Sequence, residues 1–273
     1  MSEGSEKMLG RLFNPHRIAV FELFGAIGSP SRTAEYVRSL QSLAENAAVR
    51  AVILDIDSPG GSATASDYLY RSVRKLAEKK PVIAFIRGAG ASGAYMVSCA
   101  ATKIIAVPTA LVGSIGAISA RPLLYELLHR IGVKVSITKS GRLKDMWSPL
   151  REPTKEEREK EQALLDELYD HFIAAVAKGR DMSEDRVRKL ATGEMFTATK
   201  AKELGLVDEL GDLDAAIELA MQLGKAPRRV TYVRPKRGLR AMLMSRMMGG
   251  FVEELSAQLD AAVRGRVDYY RFR

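Results

Sequence analysis

The sequence predicts an α/β fold organised on a mainly parallel sheet. Short runs of β-branched and aliphatic residues, such as 51–57 (AVILDID), alternate with stretches of helical period. Turns rich in Gly, Pro and Ser separate them, so strand, turn and helix recur as in βαβ units. The 273 residues are 47% hydrophobic and 27% charged, enough apolar material for a real core. That composition excludes a disordered, collagen-like or disulfide-stapled chain.

The elements follow in order. Residues 17–23 read as a strand and 33–48 as a helix. The AVILDID run lacks polar alternation until its aspartates, as expected of a strand buried on both faces. A Pro-Gly-Gly turn leads from it to a helix over 64–78. Pro81 introduces the strand 82–86, because proline is tolerated at a strand start. A Gly/Ala/Ser turn, a helix over 92–101 and a short strand over 103–107 come next. After Pro122 the pattern predicts a helix to about residue 129, then a strand over 133–138. Residues 154–178 form a long charged helix with Leu164, Leu168, Phe172 and Val176 on one face. Two short helices are expected within 197–223, around Gly205-Leu206-Val207-Asp208.

Charge divides the chain. Residues 224–273 hold twelve Lys/Arg against four Asp/Glu, a net of +8 out of the total +9. The rest is nearly neutral, which argues against a nucleic-acid-binding body and for a basic C-terminal tail. The expected division is therefore 1–223 and 224–273. In the tail Leu239, Leu243, Met247, Phe251, Leu255, Leu259 and Val263 recur every fourth residue among arginines. Such a helix packs on a protein surface or rests on an anionic membrane surface; the pattern fits both.

Cys99 is the single cysteine and the three histidines are scattered, so no zinc-binding spacing arises and no cofactor is expected. The first 17 residues are polar and the run 18–27 is far too short to span a membrane. A cytoplasmic or peripherally membrane-associated location follows as the expectation.

Two turns are candidates for chemistry, since α/β sheets bind ligands beyond the carboxyl ends of their strands. One is Asp57-Ser58-Pro59-Gly60-Gly61-Ser62, and the other Gly88-Ala89-Gly90-Ala91-Ser92-Gly93-Ala94-Tyr95. The second places Ser92 at a helix start between residues with almost no side chain, exposing Oγ to a substrate carbonyl. Gly93 N–H, with Gly61 N–H from the first turn, would face a developing oxyanion; each such donor stabilises a transition state by about 3 kcal/mol. Phosphate binding or tight helix–sheet packing explains such a turn nearly as often.

A serine nucleophile needs a base. His129 and His171 fall within helical patterns and His16 in no prepared turn, so a Ser-His-Asp triad is unsupported. Lys144 is the other option, in a segment with Leu143, Met146 and Trp147 beside it. Lowering a lysine pKa from about 10.4 to about 7–8 costs roughly 4 kcal/mol, which burial against apolar groups can supply. Spacing alone also fits a solvated loop lysine.

The turns 57–61 and 90–95, Gly113-Ser114-Ile115-Gly116, the segment 139–149 (KSGRLKDMWSP) and Gly205-Leu206-Val207-Asp208-Glu209-Leu210-Gly211 occur in order. Together, over about 17–223, they resemble the signal peptide peptidase A family of Ser–Lys dyad serine proteases. The resemblance implies the Clp protease/crotonase fold, stacked ββα units with a helical appendage. It implies Ser92 as nucleophile, Lys144 as general base, Ser114 as the hydroxyl orienting that lysine, and Gly61 and Gly93 as oxyanion donors. It implies extended hydrophobic peptides as substrates, signal peptide remnants among them, and a homo-oligomeric ring, octameric for a one-repeat subunit. The family commonly has an N-terminal membrane anchor, which this sequence does not show; the basic tail offers an alternative membrane contact. A crotonase-like acyl-CoA enzyme lacks its usual acid–base carboxylate in these turns, and a non-catalytic peptide-binding scaffold would not need the dyad.

Overall fold

The structure is a computed structural model that describes residues 16–233; the apolar stripe 239–263 lies outside them. Among the described residues eight strands form one sheet: β1 (Arg17–Phe24), β2 (Val49–Ser58), β3 (Val82–Ala91), β4 (Lys103–Ala106), β5 (Leu111–Gly113), β6 (Met195–Thr197), β7 (Glu209–Leu210) and β8 (Val230–Val233). The main order is β6-β5-β3-β2-β1-β8, with β4 on β3 and β7 on β4. Every pairing is parallel except β5 with β6.

Helices cover both faces, as a parallel sheet requires. They are α1 (Pro30–Glu45), α2 (Ala63–Ala77), α3 (Gly93–Ser98), α4 (Tyr125–Arg130), α5 (Lys155–Arg180), α6 (Glu184–Leu190), α7 (Ala198–Glu203) and α8 (Leu213–Gly224). Because side chains alternate along a strand, Val52, Leu54 and Ile56 join the larger core with residues of α1, α2 and α3. Ala51 and Ile53 point the other way, into a smaller cluster with Ala216, Ile217 and Ala220 of α8.

The mixed α/β sheet is as expected, and so are its first four strands. Differences lie at the ends and edges. The first helix starts at Pro30, not 33, since proline at the first helical turn loses no hydrogen bond. The expected strand over 133–138 is not a strand. Its side chains are exposed, Val133, Val135 and Ile137 included, and a strand needs a partner ladder that this segment does not meet among the described residues. Strands β5 to β8 are too short to show a period. The last of them, Val230–Val233, lies beyond residue 223 and pairs with β1.

One feature of β3 positions the site. Its first half pairs with β4 (Ile83↔Lys103 to Ile86↔Ala106), and its end pairs with β5 (Ala89↔Leu111 to Ala91↔Gly113). The strand therefore forks, and its last residue lies beside the last residue of β5.

The sequence motif 205–211 proves to be an anchor for the helix behind that fork. Tyr95 of α3 is fully buried and its hydroxyl donates to the Leu206 carbonyl at 2.8 Å. Asp208 accepts from Ile104 N–H at 2.8 Å, Arg180 at 2.8 Å and Lys103 at 3.1 Å. Burial raises the carboxyl's pKa, but these donors outweigh it and hold it below the ordinary range. Beside Tyr95, burial pushes the Cys99 thiol up to about 12, so it is an inert packing group.

Candidate active site

Ser92 follows β3 and caps α3 with φ 51° and ψ −126°, a conformation that favours glycine. A serine held there by its surroundings is the strand–turn–helix geometry that presents a nucleophile. Its N–H donates to the Gly113 carbonyl at 2.8 Å, and its carbonyl accepts from Met96 N–H at 3.0 Å. Ser114, the residue after β5, also has φ 51°, and its N–H donates to the Glu194 backbone carbonyl at 2.7 Å. The fork of β3 thus sets Ser92 and Ser114 at adjacent strand ends.

The turn after β2 closes over the same point. A side chain on Gly60 (φ 88°) would meet Ala91 O, Gly93 N and Ser92 Cβ at 2.6–2.8 Å, so only glycine fits. At Gly61 (φ 150°) a Cβ would collide with the Ile27 carbonyl. The bridge to Ile27 uses the Gly60 carbonyl and the Ser62 N–H, which leaves the Gly61 N–H out of it. Gly93 is the first residue of α3, where N–H groups have no intrahelical acceptor. A Cβ built on Gly93 would lie 3.7 Å from Gly61 N, so these two donors are close neighbours.

A cavity of about 380 Å³ opens beside them. Gly61, Ser92 and Gly93 line one side, and Met96, Phe172, Leu168 and Ile118 supply apolar wall. The cavity also reaches Ser66, His171 and the Asp67–Arg71 ion pair. Sequence reasoning missed these. A signal for Ser66 does exist, because it opens the buried stripe Ser66, Leu69, Tyr70, Val73 and Leu76 of α2, where a leucine would be ordinary. His171 lies one residue from Phe172 on α5, and nothing local marks it.

Lys144 does not line this cavity. It sits in an exposed turn, its N–H donating to Gly141 at 3.1 Å. The segment 117–153 that carries it leaves apolar side chains uncovered: Ile118, Leu127, Ile131 and Trp147 are 87, 56, 63 and 53% exposed. Yet the segment is tied down next to Lys144. Arg151 bridges Asp145 and Glu157, and Lys139 donates to Asp145 at 2.5 Å. Glu157 completes a capping box with Thr154 at the start of α5. The Arg151 hydrogen bonds, with the Thr154 N–H, hold the Glu157 carboxyl at a pKa of about 2. Arg151 and Lys139 hold Asp145 far below the ordinary carboxylate range.

Among the described residues no cluster of His, Cys, Asp and Glu could hold a metal ion. No helix there is long and apolar enough to cross a membrane.

Comparison with known proteins agrees with this architecture. The chain matches the model of Peptidase family S49 over residues 74–226 and that of Clp protease over 5–112. A Methanocaldococcus jannaschii protein with a provisional protease name is 40% identical over 69% of this chain. The chloroplastic serine protease SPPA of Arabidopsis thaliana is 33% identical over 90% of it. The chain spans 60% of the former's length and 38% of the latter's. A solved membrane-bound stomatin-specific protease superposes with a TM-score of 0.53 at 18% identity, covering 81% of this chain and 99% of that one, which shows a shared fold. With a strand-end serine between two glycine turns on a Clp-like sheet, the chain belongs to peptidase family S49, the signal peptide peptidase A family.

Proposed function

We propose that the chain is a serine endopeptidase in which Ser92 is the nucleophile and Lys144 the general base. The observation that carries this reading is the backbone of Ser92, held at φ 51° beside the N–H groups of Gly61 and Gly93. Neutral Lys144 takes the hydroxyl proton as Ser92 Oγ attacks the peptide carbonyl, and the two N–H groups hold the oxyanion. The tetrahedral intermediate collapses, the C–N bond breaks, and the lysine returns the proton to the leaving amine. Water, deprotonated by the same lysine, then hydrolyses the acyl-enzyme. Ser114, one strand away, accepts from the lysine amine and orients it.

Lys144 stands outside the Ser92 cavity of its own chain, on a segment with uncovered apolar side chains. We therefore assign the dyad to two copies: covering the 117–153 segment in a homo-oligomeric ring brings Lys144 of one copy to Ser92 of its neighbour. The new contact also buries the amine, which a lysine base requires. The apolar cavity wall suits extended hydrophobic peptides, signal peptide remnants among them. The basic residues that follow β8 supply contact with an anionic membrane surface.

A second reading has one observation behind it, the presence of His171 in the Ser92 cavity. A histidine base would give a rate that levels off near neutral pH, whereas a lysine base gives a rate still rising at higher pH. The deciding experiment treats the full chain with a peptide phosphonate and maps the adduct by mass spectrometry. Modification of Ser92, lost in Lys144→Ala and kept in His171→Ala, is expected. An unlabelled Ser92 sinks the peptidase reading.

A further inference from the structure

The Ser66 hydroxyl is buried and has no hydrogen-bond partner among the described residues. Ser66 is 1% exposed, in the first turn of α2, and its side chain forms part of the wall of the Ser92 cavity. Buried polar groups are nearly always paired, so an orphan at this place calls for a reason. Its own helix offers it one: a serine can donate to the carbonyl four residues back, and the Ser62 carbonyl is that atom. The Ser62 carbonyl receives the Ser66 backbone N–H at 2.9 Å, but the hydroxyl does not reach it.

It points at Gly93. A Cβ added to Gly93 would collide with Ser66 Oγ and come within 2.7 Å of Ser66 Cβ. The serine side chain thus occupies the space that any larger residue at 93 would need. The same added atom would lie 3.7 Å from Gly61 N. One buried hydroxyl therefore packs against the backbone of one oxyanion donor, close to the other.

We infer that Ser66 is a positioning residue: its side chain, wedged against Gly93, fixes the direction of the Gly93 N–H towards the oxyanion. The inference rests on the reading of Gly93 as an oxyanion donor. A wedge explains both oddities together, the glycine at 93 and the unpaired hydroxyl. A serine is the right size where alanine leaves a gap behind the Gly93 peptide and threonine adds a methyl to a filled space. The loss of a hydrogen bond is the cost of that fit. Oxyanion donors act through direction, so a small tilt of the Gly93 peptide weakens transition-state binding and leaves ground-state binding alone.

The test is steady-state cleavage of a fluorogenic hydrophobic peptide by Ser66→Ala, with thermal unfolding alongside. The expected result is a kcat lowered about tenfold or more, a KM within twofold, and an unfolding midpoint equal to or above that of the wild type. A residue that merely packs would show the reverse, a lowered midpoint with kcat intact. Ser66→Cys, which keeps an atom of similar reach against Gly93, is expected to recover most of the lost kcat and serves if the alanine variant misfolds. Full kcat in Ser66→Ala, or no recovery in a folded Ser66→Cys, overturns the inference. Wild-type cleavage that Ser92→Ala abolishes and Ser66→Ala leaves untouched removes only this inference. An inactive wild type removes the peptidase reading with it.

Discussion

Ser92 and Ser114 leave neighbouring parallel strands in step: Ala91 pairs with Gly113, and the next residue of each strand turns with φ 51°. Matching strain on two adjacent serines ties both hydroxyls to the same end of the sheet. A residue in this region of backbone space costs on the order of 1–3 kcal/mol and persists where neighbouring structure enforces it. Here the enforcing contacts are the Ser92 N–H to Gly113 and the Ser114 N–H to Glu194.

Ser114→Ala should keep the fold and lower the rate, because the backbone bonds at 114 do not need the hydroxyl. If the hydroxyl orients the lysine amine, kcat falls about 10- to 100-fold. The pH–rate profile also moves to lower pH, because an acceptor stabilises the ammonium more than the free amine and its loss favours deprotonation. The measurement is kcat against pH from 6 to 10. An unshifted profile would show that Ser114 orients something else.

Mixing two inactive variants tests the shared dyad. Ser92→Ala and Lys144→Ala preparations, each silent alone, should regain activity on mixing if the serine and the lysine come from different copies. Random assembly in equal amounts gives at most about a quarter of wild-type sites. No recovery after dissociation and reassembly would place both groups within one copy.

Tyr95→Phe should destabilise the protein without changing the site's groups. It removes the hydroxyl that donates to Leu206 at 2.8 Å and leaves a buried carbonyl unpaired. The expected loss is about 1–3 kcal/mol, read as a lowered urea midpoint with an unchanged slope.

The segment carrying Lys144 should resist acid until the Arg151 network is cut. The Glu157 pKa is lowered from 4.5 to about 2 in the fold. A depressed carboxylate contributes stability that is complete above its unfolded value and lost as pH falls through the folded one. For Glu157 the loss therefore falls between about pH 4.5 and 2. Arg151→Met should move that window upward, since only the Thr154 bonds remain to hold the carboxylate. The single tryptophan, Trp147, reports on the same segment. Its fluorescence in an acid titration should change at a higher pH in the variant. Coincident curves would mean that Arg151 does not hold the segment.

The turns 57–62 and 88–95 were legible in the sequence because their close packing needs small residues. Gly60, Gly61 and Gly93 each sit where a side chain would strike backbone or Ser66. The central strands were legible because β2 is buried on both faces and reads as an apolar run up to its aspartates. The run 133–138 shows where this signal fails. It has the strand alternation, but Val133, Val135 and Ile137 find neither a ladder nor a core in the described residues. The roles of Ser66 and His171 were illegible for a different reason. His171 belongs to a helix far from the turns in sequence and packing brings it to the cavity, whereas Ser66, four residues past Ser62, carries only the weak signal of a polar residue on a buried stripe. Likewise the motif at 205–211, legible only as part of the family resemblance, serves as the socket for Tyr95 and Arg180.

The paired left-handed serines set a trap for anyone hardening this molecule. Glycine is at ease in that backbone region, so replacing either serine by glycine would relax the chain. Directed evolution scored on heat resistance alone would thus favour glycine at both positions, and if the serines act as proposed, such a campaign has to read turnover in the same assay.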